Sequence, residues 1–192
     1  MRRIALVSAI GGILVSLFVA AAPARAEEIE VREVALRRVE EGLALDVDFA
    51  FELTPRLAEV VANGVPLYFR VEFELTRRRW YWFDESTASR SLSLRLSYHA
   101  LSRQYRLSTG LLQQSFATLE EALNVLMRVR NWLVVDRTVR FADSDYEAAV
   151  RMRLDTAQLP KPFQLSALTG RDLQLESAWK KFIVRAPQRK AR

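Results

Sequence analysis

The strongest constraint on the fold is an alternation of apolar and polar residues that recurs along the chain. At Leu67, Phe69, Val71, Phe73 and Leu75 the odd positions are apolar, with Arg70, Glu72 and Glu74 between them. A period of two is that of a β-strand with one buried face. It returns at Leu43, Leu45, Val47, Phe49 and Phe51, at Leu92, Leu94, Leu96 and Tyr98, and at Tyr146, Ala148, Val150, Met152 and Leu154. Weaker strands are expected over residues 29–36, 104–109, 132–135 and 173–176. Half-solvated faces of this kind belong to antiparallel sheets.

Two segments carry helix signals. Thr54-Pro55 reads as an N-cap with proline at the first helical position, and Asn63-Gly64 as the stop. Thr118 with Glu121 three residues on forms a capping box, followed by Leu119, Leu123 and Leu126 at helical spacing. Leu159-Pro-Lys-Pro-Phe163 holds two prolines, which predicts an extended, rigid crossover to a last strand. The expected fold is mainly β: a single antiparallel β-sandwich, immunoglobulin-like in broad architecture, with two helical connections.

The N-terminus has a basic start at Arg2-Arg3, an uncharged stretch from Ile4 to Pro23, and the small-x-small pattern Ala24-Arg25-Ala26. This reads as a secretory signal peptide over residues 1–26, with an uncleaved membrane anchor as the alternative. Residues 27–186 then form the domain, and residues 187–192 a basic disordered tail. Removing Arg2, Arg3 and Arg25 from 29 basic residues leaves 26 against 23 acids, a net charge of +3. That is too mild for a nucleic-acid binder. The basic C-terminus allows a weak contact with anionic membrane surfaces. The chain has no cysteine, which excludes disulfides, thiolate metal sites and a catalytic thiol.

The stretch LTRRRWYWFDE, Leu75 to Glu85, sets three arginines before four aromatics. Continuing the odd-inward register of the preceding strand would bury Arg77 and Arg79, which is costly without partners. A bulge, a kink or the end of the strand is therefore expected near Thr76–Arg79. The aromatics can cap the sandwich and stack on arginine stems. They can also form an exposed arginine–aromatic patch of the kind enriched at protein–protein hot spots. The candidate partner-binding residues are Arg77, Arg78, Arg79, Trp80, Tyr81, Trp82 and Phe83.

His99 is the only histidine, at the end of a strand, so neither a zinc site nor a serine triad is expected. No glycine-rich phosphate loop is present. Asp84-Glu85 and Asp143-Ser144-Asp145 are the densest acidic spots. They read as turns, with paired-carboxylate glycan hydrolysis as the sharper alternative. No catalytic residue, cofactor or metal is expected.

Five segments together carry a resemblance: WYWFDE (Trp80–Glu85), QYRLSTG (Gln104–Gly110), FATLEEALNVL (Phe116–Leu126), RLDTAQLPKPFQL (Arg153–Leu165) and the closing Trp179. They resemble a family of secreted proteobacterial proteins known only as a domain of unknown function, number four-three-nine-zero. The resemblance covers nearly the whole chain after the signal. It implies a Gram-negative envelope protein and brings no activity, cofactor or catalytic residue. Members are often encoded beside a membrane sensor histidine kinase, which implies by association a role near envelope signalling. The expected function is a non-enzymatic periplasmic protein–protein interaction module, whose partner is an envelope or inner-membrane protein, a sensor kinase among the candidates. The alternatives are a carboxylate-dependent glycan hydrolase and a lipid or apolar-ligand carrier.

Overall fold

A computed structural model describes residues 28–77, 85–142, 144–169 and 173–185. The chain forms β1 (Glu30–Val39), β2 (Gly42–Ala50), α1 (Pro55–Ala62), β3 (Leu67–Arg77), β4 (Glu85–His99), β5 (Gln104–Thr109) and β6 (Leu112–Phe116). There follow α2 (Leu119–Leu126), β7 (Arg128–Asp136), β8 (Asp145–Leu154), a 3-10 turn at Thr156–Gln158, α3 (Lys161–Thr169) and β9 (Lys180–Arg185). These strands build a three-stranded sheet, ordered β1-β2-β7, and a six-stranded sheet, ordered β6-β5-β4-β3-β8-β9. Every strand pairing is antiparallel. The mainly β, two-sheet architecture expected from the alternation is therefore present.

The alternation places the core. Leu67, Phe69, Val71, Phe73 and Leu75 of β3 are fully buried, as are Leu45 and Val47 of β2 and Tyr146, Val150 and Met152 of β8. The inner faces meet across the sandwich, where Phe73 of β3 makes an edge contact with Trp132 of β7 at 6.5 Å. Phe51, just past β2, stacks on Phe69 at 5.5 Å. Gly42 opens β2 where a side chain would collide with the Val135 carbonyl of β7, and its φ of 149° suits glycine.

The caps form as the sequence predicts. The Thr54 hydroxyl accepts from the Leu57 amide at 3.0 Å, with Pro55 at the first position of α1. Both halves of the Thr118–Glu121 box cap α2. The two helices carry the chain between the sheets, α1 from β2 to β3 and α2 from β6 to β7.

A register shift occurs beside Thr76, but on the partner strand and not in β3 itself. In the β3–β4 ladder Leu75 faces Ala88 but Thr76 faces Ser86, leaving Thr87 as the extra residue of a bulge. Pairing of β3 with β8 runs unbroken to Arg77↔Tyr146. The Thr76 hydroxyl donates to the Glu147 carbonyl at 3.2 Å.

Two expectations need correction, and two strands were not foreseen. The segment after Pro160 is not an extended crossover but a helix, α3, in addition to the two helical connections α1 and α2. Pro162 lies in its first turn, where a missing amide costs nothing, and the Pro160 carbonyl accepts from the Phe163 amide at 2.9 Å. Residues 173–176 are not a strand. They touch β8 through one bridge, Arg153↔Glu176, and the Ser177 hydroxyl takes the Met152 amide at 3.0 Å in place of a backbone carbonyl. Strands β6 and β9 lie at opposite edges of the large sheet and had no strong alternation to announce them.

Phe73 joins the layers, so Phe73→Ala should lower unfolding stability by about 3–5 kcal/mol. A urea titration measures this, and a loss under about 1 kcal/mol would mean that the sheets are not packed through this ring.

Candidate functional site

Of the arginine–aromatic candidates, the described residues include only Arg77. It ends β3, is half-buried, and is not a free cation. Arg78, Arg79, Trp80, Tyr81, Trp82 and Phe83 lie outside the described residues, as do Asp84 and Asp143. His99 closes β4, and its Nδ1 lies 3.0 Å from the Ser102 hydroxyl and accepts the Ser102 amide at 3.3 Å. It organises the β4–β5 turn, as the sequence suggests for a strand-end histidine.

The outer face of the large sheet carries a lattice of charges that alternation alone could not pair. Even positions of β3 point outward beside odd positions of β8. Glu72 sits between two arginines: Arg151 donates to one carboxylate oxygen at 2.6 Å and Arg153 to the other at 3.1 Å. Arg151 also lies over the Trp179 ring at 4.5 Å. One step along, Arg70 bonds Asp155 at 2.7 Å, and Gln158 donates to the same carboxylate at 3.0 Å. Toward β9, Lys181 pairs with Glu147 at 2.9 Å.

These contacts set the ionisation of the carboxylates. Burial alone would raise Glu72, but the hydrogen bonds and charges of Arg153 and Arg151 hold it below its ordinary value. Asp155 behaves alike: burial pushes it up, and Gln158 and Arg70 bring it lower. On the small sheet the Asn131 amide, donating at 2.7 Å, is the main cause of the lowered Asp46, with Arg37 adding a hydrogen bond. Asn131 adopts a φ of 51° beside the irregular β2–β7 register, which aims its amide at Asp46. Asp136 is lowered chiefly by the Thr138 amide in the following turn. All four are shifted toward the ionised form, the direction opposite to that of a general acid. No metal-binding group of three or more His, Cys, Asp or Glu residues occurs among the described residues.

Among the described residues a concave region opens on each flank. On the first flank, β1 and β9 are the outermost strands of their sheets. A groove of ≈ 400 Å³ lies between them, lined by Val34, Leu36 and Leu43 from the small sheet and by Phe182 and Val184 from β9. Arg38 and Arg185 also line it. On the second flank a cleft of ≈ 250 Å³ opens between β4–β6, α2 and β7. Leu94, Leu107 and Leu126 line it, with Arg128 and Arg130. Arg130 is tied to Asp48 and to the Val47 carbonyl, whereas Arg128 is exposed. Neither flank was singled out in the sequence, because each joins residues from strands far apart in the chain.

Glu72→Gln should destabilise the protein by about 1–2 kcal/mol at neutral pH, since both arginines lose a charged acceptor. A folded value lowered below the ordinary 4.5 means the carboxylate's contribution is complete above that pH and fades as pH falls through the folded value. Chemical denaturation of both proteins from about pH 7 down to about pH 3 should show the gap closing as acid is added. A constant gap would mean that charge is not its source.

No curated protein and no solved structure matches the chain. One protein family does, over residues 26–183. It spans both sheets as far as Ile183 of β9, the charge lattice and the cleft beside α2, and so the chain belongs to the family described as Domain of unknown function (DUF4390).

Proposed function

We propose that the protein is an exported protein–protein interaction module of the cell envelope. The observation that carries this reading is the flank where two strand edges with no described partner border a groove with an apolar floor and basic rims. Exposed edges invite pairing with another chain, and arginine beside buried apolar area is the composition of binding hot spots. Export is supported by Arg2-Arg3, the uncharged stretch after them and the Ala24-Arg25-Ala26 pattern, with the family match beginning at residue 26. The arginine–aromatic stretch from Arg77 to Phe83 is a second candidate surface for the same function.

A photo-crosslinking residue at Ile183, on β9 and 54% exposed, tests the reading in intact cells. The control position is Ser91, exposed on the outer face of β4. A discrete protein adduct from position 183 and none from 91 is expected. Adducts at both positions, or none at 183, would turn the search to a probe at Tyr81. Mass spectrometry of the periplasmic fraction should find a chain beginning at Glu27. A full-length chain held in the membrane would replace a free module with an anchored one.

A second reading, a carrier for an apolar ligand with an anionic head, draws on the cleft beside α2. Its apolar lining and the exposed Arg128 suit a short acyl chain and its carboxylate. Native mass spectrometry of protein purified without detergent should then show a bound lipid mass that Arg128→Glu reduces. A spectrum of bare protein removes this reading.

A further inference from the structure

We infer that β9 receives an extended peptide segment as an added strand, and that this segment alternates apolar with acidic side chains. The inference rests on the interaction reading above and names the chemistry of its partner.

β9 pairs with β8 along one side, from Asp145↔Arg185 to Val150↔Lys180, and no described strand pairs with its other side. A strand in that position presents a row of amides and carbonyls able to continue the ladder. Its side chains are arranged for an incoming strand. Phe182 and Val184 turn toward the core and wall the groove, while Ile183 stands 54% exposed on the opposite face. Across the groove Val34, Leu36 and Leu43 supply the facing apolar wall. One face of an added strand would therefore meet an apolar floor, which asks for an apolar residue at every second position.

Charge selects the rest. Arg185 stands on the outward face with Ile183, where the alternate residues of an added strand lie, and Lys180 closes the inward face at the start of β9. Both, like Arg38 on β1, are exposed and make no ion pair with a described residue, whereas Lys181 is held by Glu147. Basic residues on an edge strand also guard against aggregation, and they bear on the choice of occupant. Opposite charges directly across a ladder stabilise it, so the edge favours an acidic strand.

The test uses the chain from Glu27 to Arg192, immobilised and exposed to a phage-displayed library of random decapeptides. Enriched peptides should alternate apolar residues with aspartate or glutamate. A synthetic version of the most enriched peptide should bind at least about tenfold more weakly to Lys180→Glu/Arg185→Glu, by fluorescence anisotropy, and more weakly as salt rises. Both replaced residues are exposed, so the variant should keep the wild-type circular dichroism spectrum. Binding should slow hydrogen exchange in the Lys180–Arg185 amides. The inference is overturned by no enrichment, by enriched peptides without acidic alternation, by equal binding to the variant, or by unchanged exchange in β9. A concentration-dependent dimer seen by sedimentation and dissolved by the same double variant would assign the edge to a second copy and also overturn it. A discrete crosslink at Ile183 together with a failed selection would sink strand addition alone. The loss of both results would sink the interaction reading as well.

Discussion

The fold depends on one strand having one fully buried face. Leu67 through Leu75 place five apolar side chains in the core, and β3 has a partner strand on each side. A one-residue slip would exchange them for Arg70, Glu72 and Glu74, so the register of β3 has no near competitor. Its neighbours inherit that register, and Phe73 reaches Trp132 to position the small sheet above. The bulge at Thr87 lies in β4 and leaves β3 unshifted: β3 holds its pairing with β8 to the end, so half-buried Arg77 stays in the register of Leu75.

The opposite face of the same strand uses charge where the inner face uses area. Glu72 and Arg70 tie β3 to Arg151, Arg153 and Asp155, and Trp179 covers Arg151 where the chain approaches β9. The contacts are partly solvated, so each is worth modest stability, and their geometric role is to hold β8 and the approach to β9 in place. The large sheet can then present β9 as a firm edge rather than a fraying one. On the other flank α2 lies against β5, β6 and β7, so the two sides of the sandwich offer different surfaces: a strand edge with a groove on one, a helix-bordered cleft on the other.

Much of this fold was legible in the sequence, for reasons that residues make plain. The alternation at Leu67–Leu75 and Tyr146–Leu154, the cap at Thr54 and the box at Thr118 are local signals that tertiary packing had no cause to override. The costly arginines after Leu75 suggested a break in β3; the shift lies instead in β4, β3 keeps its alternation to Arg77, and Arg78 and Arg79 lie outside the described residues. The illegible parts have physical causes too. β6, Leu112 to Phe116, is an edge strand with mostly exposed side chains, so it has no buried face to write an alternation. α3 was hidden because proline in a first helical turn looks, in sequence, like proline in an extended segment. Residues 173–176 are apolar enough for a strand, but the Ser177 hydroxyl takes a ladder position and reduces the pairing to one bridge. For the candidate site the contrast is sharper. Composition pointed to Arg77–Phe83, whereas the groove is assembled from Val34, Leu36, Leu43, Phe182 and Val184, which converge only once both sheets are built.

The pairing of β3 with β8 also governs when this protein can fold. The Glu72–Arg151 contact joins positions 79 residues apart, and the Arg70–Asp155 contact joins positions 85 apart. Until β8 has been made, β3 lacks one of its two neighbours and half of its ladder has nothing to close on. A chain whose central pairing is this non-local folds slowly, because loop-closure entropy must be spent before the contacts return it. Under the proposed export, slowness would have a use: an N-terminal half unable to complete its core would stay unfolded and threadable during passage across a membrane.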